Sequence, residues 1–199
     1  AIIDGAETRQ ALAANEQQLR MILDNEPECV KLHTCDGSVL EMNPAGLAMM
    51  DACSTDQVIG RSIFSFIAEE HRQPYIELTE RVFRGESGRL EFRLTSLQGR
   101  LRWMETSAAP LRDEHGHIIA LLGVTRDMTE RRAAEEQDRQ HLSALAHVVR
   151  TFVNDCTQRL LDGTLDDEVA YMAKLWCTEQ LCRVTDECLQ LFGGSGFMA

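Results

Sequence analysis

Residues Val124 to Arg132, VTRDMTERR, constrain this chain more than any other stretch. An apolar run rich in strand formers, His117 to Val124, leads into it. Ala133-Ala134-Glu135-Glu136-Gln137 follows, with strong helix formers and neither Gly nor Pro. A strand must therefore end and a long helix begin within a few residues. Asp127 and Thr129 suit that junction, because their short side-chain oxygens can accept hydrogen bonds from free amides at a helix start. Glu130 adds favourable charge at the positive end of the helix. Any fold containing this junction couples a sheet directly to a helix that leaves it.

The chain upstream supplies such a sheet. Residues 6–24 read as a helix with a thin apolar stripe of Leu12, Leu19, Ile22 and Leu23, suited to packing on a partner. Glu26-Pro27-Glu28 ends it. Cys29 to His33 and Val39 to Met42 read as strands joined through Asp36-Gly37, a tight-hairpin pair. Asn43 before Pro44 reads as a helix cap followed by a first position that needs no amide donor. Short turns follow at 54–60 and 62–66, then a helix from Glu69 to Phe83 ended by Gly85. The period then alternates: Leu90, Phe92 and Leu94 face one way, and Leu101, Trp103 and Glu105 follow a Gln98-Gly99 turn. Asp113 to Gly116 turns the chain into the last strand. Two strands, several short helices and three antiparallel strands make an α+β layout with helices on one face of a sheet.

This order resembles PAS sensor domains. The stretches DGSVLEMNPAGLAMM, VIGRSIFSFI and GRLRWMETSAAPLRDEHGHIIALLGVTRDMTERR match the family's style in sequence. The resemblance implies a PAS fold, a five-stranded antiparallel sheet with short helices, over 25–127. It gives Asp127 and Thr129 the role of coupling sheet to output helix. It also implies a ligand site between sheet and helices, for which Met49, Phe64, Phe66, Phe92 and Trp103 are the candidates, with core packing as the alternative use of the same residues. A photoactive flavin version carries a cysteine after its Gly-Arg-Asn; here Gly60-Arg61-Ser62 is followed by Ile63. The heme version carries its ligand histidine a few residues after His71, where this chain has Gln73, Pro74 and Tyr75, so heme is not expected. A non-covalent flavin, an apolar small molecule, or a protein partner with no ligand remain open.

From Gln140 onward Leu142, Leu145, Val149, Phe152 and Cys156 form a heptad stripe. This stripe and that of the first helix predict a homodimer built by helices, with burial against the next helix as the alternative for Leu142 to Cys156. HLSALAHVVR resembles the linker before the phosphoacceptor helix of sensor histidine kinases. His147 is followed by Val148, Val149 and Arg150 rather than by an acidic residue, and no Gly-rich ATP motif follows, so no kinase activity is expected. After Arg150 the resemblance changes. Residues 148–199, with Met172-Ala173-Lys174 and Gln190 to Phe197, resemble the C-terminal helical domain of acyl-CoA dehydrogenases. They read as a helical hairpin turning at Asp162-Gly163. In that family the Gly-Gly-x-Gly turn, here Gly193 to Gly196, helps bind the flavin of a neighbouring subunit. The family's catalytic glutamate and its other domains are not matched here.

The expected organisation is a helix over 1–24, a PAS domain over 25–127, an exit helix over 128–150 and a hairpin over 151–199, fused near Arg150. The expected function is a sensory module with no catalysis of its own. The alternative is an inactive, flavin-linked dehydrogenase remnant joined to a PAS domain. A net charge of −12 excludes a basic nucleic-acid surface. No apolar run approaches a membrane span. Seven cysteines without a CxxC pair or a histidine at metal spacing suggest free thiols in a cytoplasmic protein and no metal site.

Overall fold

The computed structural model describes residues 2–192, with the side chains of 9–10 and 12–189. The Gly193 to Gly196 turn lies outside the described residues. The elements run α1 (Ile2–Asn25), β1 (Cys29–His33), β2 (Val39–Met42), α2 (Pro44–Met49), α3 (Glu69–Phe83), β3 (Gly88–Thr95), β4 (Leu101–Arg112), β5 (Ile118–Asp127), α4 (Thr129–Leu161) and α5 (Asp167–Phe192). Two 3-10 turns, Thr55–Gln57 and Ile63–Phe66, lie between α2 and α3. The chain divides into two compact units, 1–129 and 130–199.

In the first unit all five strands pair antiparallel in the order β2-β1-β5-β4-β3. The β1–β2 hairpin turns at Gly37, whose φ of +84° favours a residue without Cβ. A Cβ there would also meet the Phe64 ring at 2.7 Å. Asn43 caps α2 as expected, accepting from the amide of Gly46 at 3.0 Å. Its amide nitrogen donates back to the carbonyls of Leu23 and Glu28, at 3.1 and 2.9 Å, tying the end of α1 to the sheet. α3 buries Tyr75, Leu78, Thr79 and Val82, spaced as one helical face. These residues, with Met50, Val58, Ile63, Ile67, Phe92, Met104 and Leu121, form the core between the short helices and one face of the sheet.

The second unit is a helical hairpin. α4 continues without a break through Arg150, so the exit helix and the first hairpin helix are one element. It turns at Asp162-Gly163, with Gly163 at φ +68°. The Phe152 ring meets Trp176 edge-on, with centroids 5.5 Å apart.

Candidate functional site

Sheet alternation puts Cys29, Lys31 and His33 of β1 on the core side, because every second residue of that strand is buried. Lys31 pairs in register with Gly123 of β5, and Cys29 with Thr125. Nothing projects inward at Gly123, so the Lys31 stem crosses it; a Cβ there would sit 3.4 Å from Nζ. Lys31 Nζ donates to Thr125 Oγ1 at 2.6 Å, and Thr125 donates on to Thr106 Oγ1 at 2.9 Å. A polar row thus crosses three adjacent strands inside an otherwise apolar core. Lys31 is 3% exposed, Tyr75 1% and His33 0%.

The electrostatics follow from that burial. Burial pushes the Cys29 thiol and the Tyr75 phenol above their ordinary pKa values, with Lys31 opposing in both cases. Both groups are therefore neutral near pH 7. Burial works against the Lys31 ammonium, but attraction to Tyr75 and Cys29 once they ionise at high pH, with hydrogen bonding to Tyr75, outweighs it and raises its pKa. None of the charges acting on Lys31 is a carboxylate. Burial lowers His33 to about 4, against a weaker raising influence from the Thr34 carbonyl. Its Nδ1 lies 2.8 Å from that carbonyl, which makes Nδ1 the donor. Its Nε2 is buried without a partner.

Lys31, Cys29 and Thr125 border a cavity of about 10 Å³, together with Met42, Gly46, Met49, Met50, Ile63, Phe92, Leu94 and Met104. Of the pocket residues expected from sequence, Met49 and Phe92 line this space. Phe64 instead packs edge-on to Tyr75 at 6.1 Å, and Phe66 belongs to the surrounding core. Trp103 alternates with the inward-facing Met104 and so sits on the opposite face, against His71 at 5.3 Å and beneath the Arg93 guanidinium. A cavity this size holds no more than one water. In this closed form the cavity admits no organic ligand, whether a flavin or a smaller molecule. His71 is not among the lining residues. Among the described residues no His, Cys, Asp or Glu cluster could hold a metal ion.

Lys31 and its threonines were not legible as a site, because Val30 and Leu32 on either side are the apolar residues of β1. That pattern points the lysine to solvent. The outer sheet face is itself half-buried, and this inverts the expectation.

The exit of the sheet is a second polar cluster. Asp127 ends β5 and accepts from the Thr129 amide at 2.9 Å, as a cap should. Its other oxygen accepts from Arg102 at 2.8 Å. The Thr129 hydroxyl takes a different role from the expected cap: it accepts from the Trp103 amide at 2.9 Å and so extends the β4–β5 pairing past the strand end. Arg102 also reaches Asp51 at 3.4 Å. Asp51 accepts from Ser96 Oγ at 2.5 Å and holds a left-handed φ of +54° just after α2. The Ser96 hydrogen bond, with Arg100 and Arg102 beside it, lowers the Asp51 pKa. For Asp127 burial acts upward, but the Thr129 and Arg102 hydrogen bonds outweigh it and lower its pKa. Met50, next to Asp51, lines the cavity. The chain Met50–Asp51–Arg102–Asp127–Thr129 therefore joins the cavity wall to the first residue of α4.

Among the helix positions expected at a dimer interface, Leu12, Leu19 and Ile22 are exposed on α1. Leu142, Leu145, Val149 and Phe152 form the least exposed stripe of α4. Phe152 on that stripe packs on Trp176 of α5, so this face is used, at least in part, within the hairpin. Val148, Met172 and Leu175 remain exposed beside it and border an apolar groove of about 480 Å³. No helix among the described residues is long and apolar enough to cross a membrane.

The PAS fold family matches residues 23–133, and the acyl-CoA dehydrogenase C-terminal domain family matches 97–199. The second match begins just before β4 and takes in β4 and β5; its helical part is α4 and α5. A blue-light-activated histidine kinase of Brucella ovis is 28% identical over 112 residues, covering 55% of this chain and 22% of that protein. The Brucella anthropi protein of the same description is 39% identical over 74 residues, 37% of this chain and 14% of its own length. The chain thus spans about a fifth of these relatives. Among solved structures, the PAS domain of an HTR-like protein from Haloarcula marismortui superposes with a TM-score of 0.54 at 20% identity, covering 61% of this chain and 98% of that one. An RNA-binding light-oxygen-voltage receptor gives 0.55 at 21%, covering 66% and 38%. At these identities the superpositions speak to fold alone, and the fold they share is the five-stranded sheet built above. The chain belongs to the PAS fold family through residues 23–133, and its C-terminal helices carry the pattern of the acyl-CoA dehydrogenase C-terminal domain family.

Proposed function

We propose that this chain is a sensory signal-transduction module: a small ligand entering the core between sheet and short helices alters the sheet exit and the helix that follows. One observation carries the reading. The cavity wall and the start of α4 share an unbroken chain of contacts, from Met50 through Asp51, Arg102 and Asp127 to Thr129. A shift of Met50 moves Asp51, which has a second anchor in Ser96 and cannot move without loosening its hold on Arg102. The ligand is a small organic molecule whose entry requires the methionines of the cavity wall to rearrange, because the closed cavity holds only a water. The module acts by binding and not by turnover, and helices α1 and α4–α5 pair it with a second copy. Its resemblance to a dehydrogenase domain is one of helical scaffold.

The test combines mass spectrometry of small molecules that co-purify with the protein and amide exchange with and without the compounds found. Exchange over 125–135 should change on binding in the wild type. With Arg102→Met, binding should persist while that response is lost. A response that survives in Arg102→Met rejects the route through Asp51, and a protein that binds nothing rejects the sensory reading.

A further inference from the structure

We propose that the core site takes a monocarboxylate with an apolar body, held through Lys31. The inference rests on reading the inner face of the sheet as a ligand site, and it names the ligand class.

An ammonium carries three donors. Thr125 Oγ1 accepts one of them at 2.6 Å, leaving donor capacity on the ammonium for an incoming acceptor. The group is 3% exposed, and neither Tyr75 nor Cys29 brings a formal negative charge near pH 7, because burial keeps both neutral. A buried cation without an anion is costly, so an anion that completes the pair is bound strongly. The rest of the cavity wall selects which anion. Met42, Met49, Met50, Ile63, Phe92, Leu94 and Met104 offer no hydrogen bonds. A phosphate or a dicarboxylate would leave charged oxygens against these walls. A monocarboxylate concentrates its charge on two adjacent oxygens that can share the Lys31 ammonium, and its chain or ring meets apolar walls. Four of the wall residues are methionines, whose unbranched side chains change rotamer at little cost. They make room where the closed cavity, at about 10 Å³, holds only a water.

The experiment uses the full chain and the probes hexanoate, octanoate and benzoate, each beside its primary amide and the alcohol of the same length. Thermal shift and calorimetry measure binding, and the ε-methyl NMR signals of methionine report where it occurs. The carboxylates should bind, move the signals of Met42, Met49 and Met50, and exceed their amides in affinity by about tenfold or more. Lys31→Met, which keeps an unbranched side chain and removes a buried charge, should abolish that preference. Amides and alcohols that bind as well as carboxylates overturn the carboxylate assignment and leave the ligand site standing. Probes that move none of the methionine signals overturn both. If Lys31→Met does not fold, Thr125→Val in its place should weaken carboxylates more than amides; equal weakening counts against the proposal.

Discussion

His33 has its Nε2 buried and unpartnered, and its neighbours on the inner face are Lys31, Tyr75 and the edge of Phe64. Its pKa is about 4 folded, against an ordinary value near 6.5. Between those values the unfolded chain binds a proton that the folded chain refuses, so stability must fall as pH drops from about 6.5 to 4 and level off below. A difference of this size amounts to about 3 kcal/mol. Asp36, whose charge favours the protonated ring, does not reverse the sign. Urea denaturation at a series of pH values should show this slope, and His33→Phe should flatten it while leaving the acid loss due to carboxylates. The polar residues of the inner face also mark where the sequence was legible and where it was not. The caps made by Asn43 and Asp127 and the turn at Gly37 act on their own backbone neighbourhoods, so these roles stood in the local sequence. Lys31, Thr106 and Thr125 act across strands far apart in the chain, and only the register β1–β5–β4 brings them together.

Asp127 belongs to the scale of elements, because it joins β5, β4 and α4 at one carboxylate. Asp127→Ala removes the cap of the Thr129 amide and should cost about 1 kcal/mol, with faster amide exchange over 125–135. Unchanged melting and exchange would remove Asp127 from this role. Its lowered pKa gives the same contact an acid limit: the stabilisation is complete above the ordinary carboxyl range near 3.9 and is lost as pH falls through the lower folded value. Asp127→Asn should therefore lessen the loss of stability in strong acid. Strand and helix order were readable from period and punctuation, since Gly, Pro and Asn-Pro sit where elements turn. The fate of the α4 stripe was not. A heptad says that one face is buried, but not whether the covering helix is α5 or a second chain; Phe152 against Trp176 supplies part of the answer.

At the scale of the molecule, much apolar surface stays uncovered. Leu12, Leu19 and Ile22 lie open on α1, and Leu160, Leu161, Met172, Leu175 and Leu181 lie open on the hairpin. Exposure on this scale marks an interaction surface, and a second copy of the chain is the simplest cover, giving a helical bundle from two hairpins. Sedimentation equilibrium at micromolar concentration should give a dimer mass. Leu175→Asp should weaken it while leaving the hairpin folded, whereas Leu145→Asp should damage both, because Leu145 lies on the stripe shared with Phe152. A monomer mass for the wild type would reject the dimer. Incubation with acyl-CoA and an artificial electron acceptor should give no turnover above a buffer control.

α4 runs without a break over 33 residues, from Thr129 to Leu161, so any torque passed along it must follow the helical repeat. Each residue added to an α-helix turns everything beyond it by about 100°. An insertion of one or two alanines among the exposed residues 133–139 would rotate the hairpin out of phase with the sheet exit without disturbing either fold. Seven would return it to within about 20° of its starting phase, further along the axis. Response plotted against insertion length should therefore rise and fall with the helical repeat if torque passes along this shaft, and should decline steadily if α4 serves only as a tether.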